Sequence, residues 1–441
     1  MKRKFLTVTI VVLALSLVVA ACAAPTPQVV EKEVVVEKPV VETVVVEKEV
    51  VVEKEVVVTP TPLPPAKPIK IGLPVILTGA DTYVFGEMVR DAAILAVEEI
   101  NKAGGVLGRP LELVIMDDGG DPAQAVAVAH KLCEDPEIVA VIGHTFSGTT
   151  IPTLPVYNEC RLAQLELGSN PRITEMGYDH VFRITCANDL ITGYAGADYA
   201  VEKLGIKSVA VIHNKTMWGE AVATVFAKRC EQLGVKVTSF QGVDKDAVDF
   251  TPTLTKVKAE NPEAVYFAGY SESALVCNQM RDLGMDQYYI AAEATSSEYV
   301  DAVKERGIGT LAPTAAPPLD FRPETRKFTE AFKKRWGKDP EEWSPVYYDV
   351  VYALAAAIEH AGTTDREAII KALHEIEVPS IIHPGGLAWD SHGEVMHPVA
   401  FVWELQPDLT MKVVYVWQGT PPYQEMSEEE YHALIEELLG K

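Results

Sequence analysis

The stretch "LELVIMDDGGDPAQAVAVAHKLCEDPEIVAVIG", Leu111–Gly143, holds a complete structural sentence. Leu111–Asp118 is an apolar run ending in two acids, which reads as a strand. Asp121-Pro122 supplies a capping carboxylate followed by the residue best tolerated in a first helical turn, so a helix should run to about Cys133. Ile138–Gly143 is apolar again and reads as the next strand. Strand, helix and strand with short links form the repeating unit of a parallel sheet covered by helices, an α/β class.

Working outward, the pattern holds in both directions. "IKIGLPVI", from Ile69, reads as a buried strand. In "GEMVRDAAILAVEEINKAGG" the residues Val89, Ala93, Ala96, Val97 and Ile100 share one helical face, and Gly104-Gly105 ends the helix. Beyond Gly143 a helix from about Thr149 leads to the strand "LAQLEL". A second set begins near Asn188, with strands "SVAVIHN", "VKVTSF", "AVYFAG" and "YYIAA" and helices such as "MWGEAVATVFAKRCEQLG" between them. Two sets imply two lobes, and 441 residues are too many for one ordinary core. Further helices follow over 318–374, hairpins after about Leu387, and "SEEEYHALIEELLG" closes with a capped helix.

The N-terminus reads as targeting sequence. "MKRKF" is a basic n-region, "LTVTIVVLALSLVVA" an apolar h-region, and "VAAC" places small residues before Cys22. This resembles a bacterial lipobox, which implies cleavage after residue 21 and lipid attachment at Cys22. Residues 22–67 then form a tether: 29–58 repeat a Val-Val-Val-Glu-Lys-Glu unit and "TPTPLPPAKP" is extended and stiff. The tether reads as a spacer, with self-association of its valine blocks as the alternative. A net charge of −24 argues against nucleic-acid partners. Export implies an oxidising compartment in which Cys133 and Cys160 can pair or remain buried thiols, and no cysteine shows metal-ligand spacing. His383, His392 and His397 fit no standard zinc pattern and read as surface-turn histidines.

The loop "VIGHTFSGTT", Val141–Thr150, carries hydroxyls and no charge beyond a strand end. Ligands of open parallel sheets bind there, and a helix N-terminus adds N–H donors, so the loop suits an anion. It lacks the phosphate-loop glycine-lysine pattern and the first glycine of a nucleophile elbow. A small carboxylate and an ordinary hydroxyl cap are the readings left.

"VIGHTFSGTTIP", "SNPRITEMGY", "VIHNKTMWGE", "FAGYSESA" and "AAEATS", in that order, resemble the leucine/isoleucine/valine-binding proteins of bacterial ABC importers. The resemblance runs from about Ile69 to about Trp417. It implies a type I periplasmic-binding-protein fold, with two Rossmann-like lobes, a hinge of three crossovers and the ligand in the cleft. Lobe one would be 68–188 plus 317–394, lobe two 189–316 plus 395–418, and 419–441 a helical tail. Carried over by position, Ser147 and Ser169 would meet the ligand's α-carboxylate, Leu167 would offer backbone groups, and Glu293 would meet the α-ammonium. Phe85, Trp218 and Tyr270 would be the aromatic walls. Familiar members pair a cysteine of the aspartate loop with one of the serine loop; Gly120 and Phe146 stand at those positions, so that bridge is absent and Phe146 adds bulk beside the ligand. The implied function is extracytoplasmic capture of an aliphatic α-amino acid for an importer permease, by a lipid-anchored protein with no cofactor and no enzymatic step. An amide, urea or aromatic-acid ligand, or a sensing role, is the alternative.

Overall fold

The computed structural model describes residues 66–79, 83–418, 421, 423 and 426–440. The leader, Cys22 and the valine-rich tether lie outside the described residues.

The first sheet has five parallel strands: β1 Ile69–Val75, β2 Leu111–Asp117, β3 Ile138–Ile142, β4 Ala163–Glu166 and β5 Val181–Arg183. Their order is β2-β1-β3-β4-β5. Between them lie α1 Met88–Ala103, α2 Pro122–Glu134, α3 Ser147–Cys160 and the single turn α4 Arg172–Glu175. The expected cap is present, with the Asp121 carboxylate accepting from the Gln124 N–H at 2.8 Å. The residues read as the face of α1 are all buried. Helix α3 begins at Ser147, two residues before the expected start.

The second sheet has seven strands: β6 Ser208–His213, β7 Lys236–Gly242, β8 Ala264–Ala268, β9 Tyr288–Ala292, β10 Leu311–Thr314, β11 Ala400–Leu405 and β12 Met411–Trp417. The order is β12-β11-β10-β9-β8-β6-β7, with β11 antiparallel to both its neighbours, β10 and β12. Its helices are α5 Asp189–Glu202, α6 Met217–Gln232, α7 Thr251–Glu260, α8 Glu272–Asp282 and α9 Ser297–Val303. Helices α10 Pro323–Trp336, α11 Ser344–Ala361 and α12 Arg366–Glu375 return to the first sheet. There Val346, Val350 and Leu354 share a core with Met88, Ala92 and Ala96 of α1. A last helix, α13 Glu428–Leu439, starts on a reciprocal Ser427–Glu430 cap and packs against both α4 and α6.

The chain passes between the sheets three times, as implied: over 184–188, after β10, and over 395–399. The first and third passages are stitched together by Val399 N–H to the Cys186 carbonyl at 2.8 Å and Arg183 N–H to the Gly393 carbonyl at 2.9 Å. Strands β5 and β10, three and four residues long, had no sequence reading of their own. One histidine expectation is corrected: His383 is wholly buried, and burial pushes its imidazole down to about 4. His397 is exposed, and no group able to hold a metal occurs among the described residues.

Cys133 and Cys160 form a disulfide, with Cα atoms 5.7 Å apart across 27 residues. It joins the last turns of α2 and α3 on the face of the sheet away from α1. A loop of that length should stabilise the fold by about 3 kcal/mol. Cys133→Ser with Cys160→Ser should lower unfolding free energy by about that amount in urea. An unchanged transition midpoint would contradict it.

Candidate functional site

A cavity of about 390 Å³, counted to its solvent mouth, lies between the two sheets. Its lining includes all eight residues singled out from the sequence as ligand contacts: Phe85, Phe146, Ser147, Leu167, Ser169, Trp218, Tyr270 and Glu293. Sequence reasoning did not assign a contact to Thr145, Gly168, Ala315 or Trp343, which complete it. Trp343 sits at the cap position of α11, outside the strand-end pattern, so nothing local marked it. No lysine or arginine lines the cavity.

One end is built from two adjacent loops of the first sheet. Ser147 is the first residue of α3; the Thr149 N–H donates to the Phe146 carbonyl at 3.0 Å, while the N–H groups of Ser147 and Gly148 have no partner within the helix. Its hydroxyl accepts from the Asn170 N–H at 3.2 Å, which leaves its own proton free to be donated. Thr145 is spent elsewhere, its hydroxyl 3.4 Å from the Phe85 carbonyl and 3.3 Å from the Tyr347 hydroxyl. Gly168 lets the second loop approach: a Cβ there would lie 3.0 Å from Ser147 Cα and 2.8 Å from Ile173 Cδ1. Behind these loops, buried His144 uses both ring nitrogens, meeting Asp118 Oδ2 at 2.6 Å and the Tyr157 hydroxyl at 3.1 Å. It has no nitrogen left to serve Ser147 as a base.

The other polar group is Glu293, just beyond β9 and in the left-handed region at φ 61°. That conformation is uncommon for a residue with a side chain and recurs at functional sites. Its Oε2 accepts from the Thr314 hydroxyl at 2.6 Å. Burial pushes its carboxyl up to about 8, against the opposing pull of Thr314, and the nearby acids Glu342 and Asp189 add to the rise. No ion pair with Glu293 occurs among the described residues.

Aromatic rings wall the remainder. Phe146 of the first lobe stacks on Tyr270 of the second at 4.8 Å between centroids, and Trp218 covers the other side of Tyr270 at 4.7 Å. Phe85 meets Phe146 and Tyr270 edge-on at 5.3 and 5.9 Å. Gly120 and Phe146 do face one another, as the two bridge positions should. A Cβ at Gly120 would lie 3.4 Å from the Phe146 ring, so the glycine leaves room for the phenyl group.

The comparisons with known proteins follow the same lines. The family model described as periplasmic binding protein matches residues 68–403. A leucine-, isoleucine-, valine-, threonine- and alanine-binding protein of Pseudomonas aeruginosa is 33% identical over 338 residues, covering 75% of this chain and 88% of the relative. A Leu/Ile/Val-binding protein homolog of Brucella suis is 32% identical over 328 residues, covering 74% and 86%. The crystal structure of a leucine-binding protein from Thermotoga maritima superposes with a TM-score of 0.72 at 26% identity, covering 79% of this chain and 99% of that one.

The raised Glu293 carboxyl has a stability signature. A carboxyl whose folded pKa lies above its unfolded value adds its full contribution below the unfolded pKa of about 4.5 and loses it as pH rises through about 8. Ligand-free Glu293→Gln should therefore melt a few degrees above the parent at pH 8, and the gap should close toward pH 4.5. A gap independent of pH would contradict the assignment.

Proposed function

This chain belongs to the periplasmic binding protein family, and on that premise we propose that it captures a free α-amino acid, aliphatic and most readily branched, between its two lobes. One observation carries this reading. The cavity presents a single carboxylate, Glu293, together with uncharged donors at Ser147 and Ser169, and no lysine or arginine. A carboxylate held in a low-dielectric site needs a cation, and an α-ammonium answers it. The ligand's own carboxylate then meets hydroxyls and first-turn N–H groups, which favour an anion without a positive side chain. Leu167, Phe85, Phe146, Trp218 and Tyr270 surround the side chain and exclude water as the lobes close.

The wider role follows from this capture. The folded part is read as lobe one over 68–188 plus 317–394 and lobe two over 189–316 plus 395–418, with 419–441 as a helical tail. The closed form hands its ligand to an importer permease. Lipid at Cys22 would hold the protein at the outer face of a membrane, with the valine-rich tether as spacer. The engagement of both His144 nitrogens supports a binding role over catalysis at Ser147.

Calorimetric titration tests the reading. The panel is leucine, isoleucine, valine, threonine, alanine, phenylalanine and glutamate, with leucinamide and the deaminated acid as controls. Tight binding of one aliphatic amino acid, absent with both controls, is expected. Glu293→Gln should weaken it about 30-fold or more, since it unpairs a buried charge. Below about pH 8 the Glu293 proton must leave as the ammonium arrives. Affinity should therefore fall as pH drops from 8, with proton release seen as a buffer-dependent heat. Binding of the amide or the deaminated acid, untouched by Glu293→Gln, would favour an amide, urea or aromatic-acid ligand.

A further inference from the structure

Asn170 sits one residue beyond Ser169 and is 3% exposed, yet it does not line the cavity. Each of its polar groups is engaged in a different direction. Its backbone N–H donates to Ser147 Oγ at 3.2 Å. Its side-chain Oδ1 accepts from the Arg172 N–H at 2.9 Å, closing the turn into α4. Its Nδ2 donates at 2.9 Å to the carbonyl of Met217, the first residue of α6 and the neighbour of Trp218. That last bond joins the two lobes. Its backbone carbonyl accepts from Arg183 at 3.1 Å.

Arg183 holds this arrangement in place. It is wholly buried at the end of β5, where the first crossover begins. Its guanidinium donates to the Gly168 carbonyl and to the Asn170 carbonyl, the two carbonyls flanking Ser169. Its Nε donates to Glu394 Oε2 at 2.9 Å, and Glu394 Oε1 accepts from the Thr174 hydroxyl at 2.6 Å. A planar fork that fixes two carbonyls and one carboxylate at once cannot be replaced by an ammonium.

We propose that Asn170 is a positioning residue that couples ligand contact to lobe closure, with Arg183 and Glu394 as its fixed base. Its N–H occupies the acceptor side of Ser147 and so turns the Ser147 proton toward the ligand. Its side-chain amide forms the Met217 bond only when the lobes meet. One residue thus sets a donor on one lobe and clasps the other. The inference rests on the reading of the cleft as an amino-acid site that closes on its ligand.

Asn170→Asp tests it, because the change keeps the Oδ1 acceptor and turns the Nδ2 donor into an oxygen facing the Met217 carbonyl. With leucine as probe, stopped-flow tryptophan fluorescence should show dissociation about tenfold faster and association within about twofold of the parent. Arg183→Lys should also speed dissociation, and it carries the test if Asn170→Asp fails to fold. Small-angle scattering of the ligand-free protein supplies a readout that needs no ligand: Asn170→Asp should shift the ensemble toward a larger radius of gyration. A lowered melting point with unchanged dissociation and unchanged scattering would make Asn170 merely structural and overturn the proposal. If the parent binds another amino acid of the titration panel and not leucine, that amino acid replaces leucine as the probe. Binding of none of them would count against the amino-acid reading, and the scattering comparison would then decide the role of Asn170 alone.

Discussion

A guanidinium without access to water must be answered on every side, and the Arg183 site shows what that requires. Its carbonyl partners come from the loop after β4, and its carboxylate partner comes from the segment before the third crossover. Glu166 adds a second acid at 3.4 Å. Burial opposes the Arg183 charge, but Glu394 and Glu166 outweigh it and hold the cation charged. The cost falls on the acids: burial pushes Glu166 up to about 8 even with Arg183 beside it, and Asp189 up to about 7. Removing either partner of such a cluster leaves a bare charge in a dry place, which is far more damaging than never having had the pair. The hinge strands and the serine loops are therefore specified together, because they share one cation.

Much of this was legible from residue order. Strands of five or more apolar residues, the Asp121-Pro122 start, the paired glycines after Ala103 and the Ser427 cap each carry a local physical signal, and each element stands where that signal put it. The eight cavity residues were reached through resemblance; periodicity alone could not bring Phe85 and Glu293 to one place. Strands β5 and β10 escaped notice because three or four residues cannot display a period. Trp343 escaped because it arrives from the return passage of the chain, on a helix cap. His383 was misread because a turn-rich segment suggests solvent, whereas this one is folded under α10 by the Arg322 contacts to the Ser380 and His383 carbonyls. The Arg183 cluster left no trace in the sequence. An arginine, two glutamates and an aspartate spread over 166–394 are only a composition until the crossovers bring them together.

The serine loop and the aspartate loop are held together here without sulfur. His144 reaches Asp118 at 2.6 Å, and Asp118 Oδ1 accepts from the Gly120 N–H at 3.0 Å. Phe146 fills the space over Gly120. A buried hydrogen-bonded pair fixes direction, and an aromatic ring fixes volume. The two loops keep their relation, while the ring also becomes part of the wall that meets Tyr270 from the other lobe. One substitution thus serves both the scaffold and the cavity.

The disulfide lies elsewhere, between the far ends of α2 and α3. Covalent reinforcement lies at the back of the lobe, and the cavity at the front is lined by contacts that can be exchanged singly. An engineer could redraw the ring wall through Phe146 and Gly120 without touching the cross-link. A receptor arranged in this way is a plastic one. Its ligand preference can drift by small steps in side-chain volume while its resistance to unfolding stays anchored at a point that never meets the ligand.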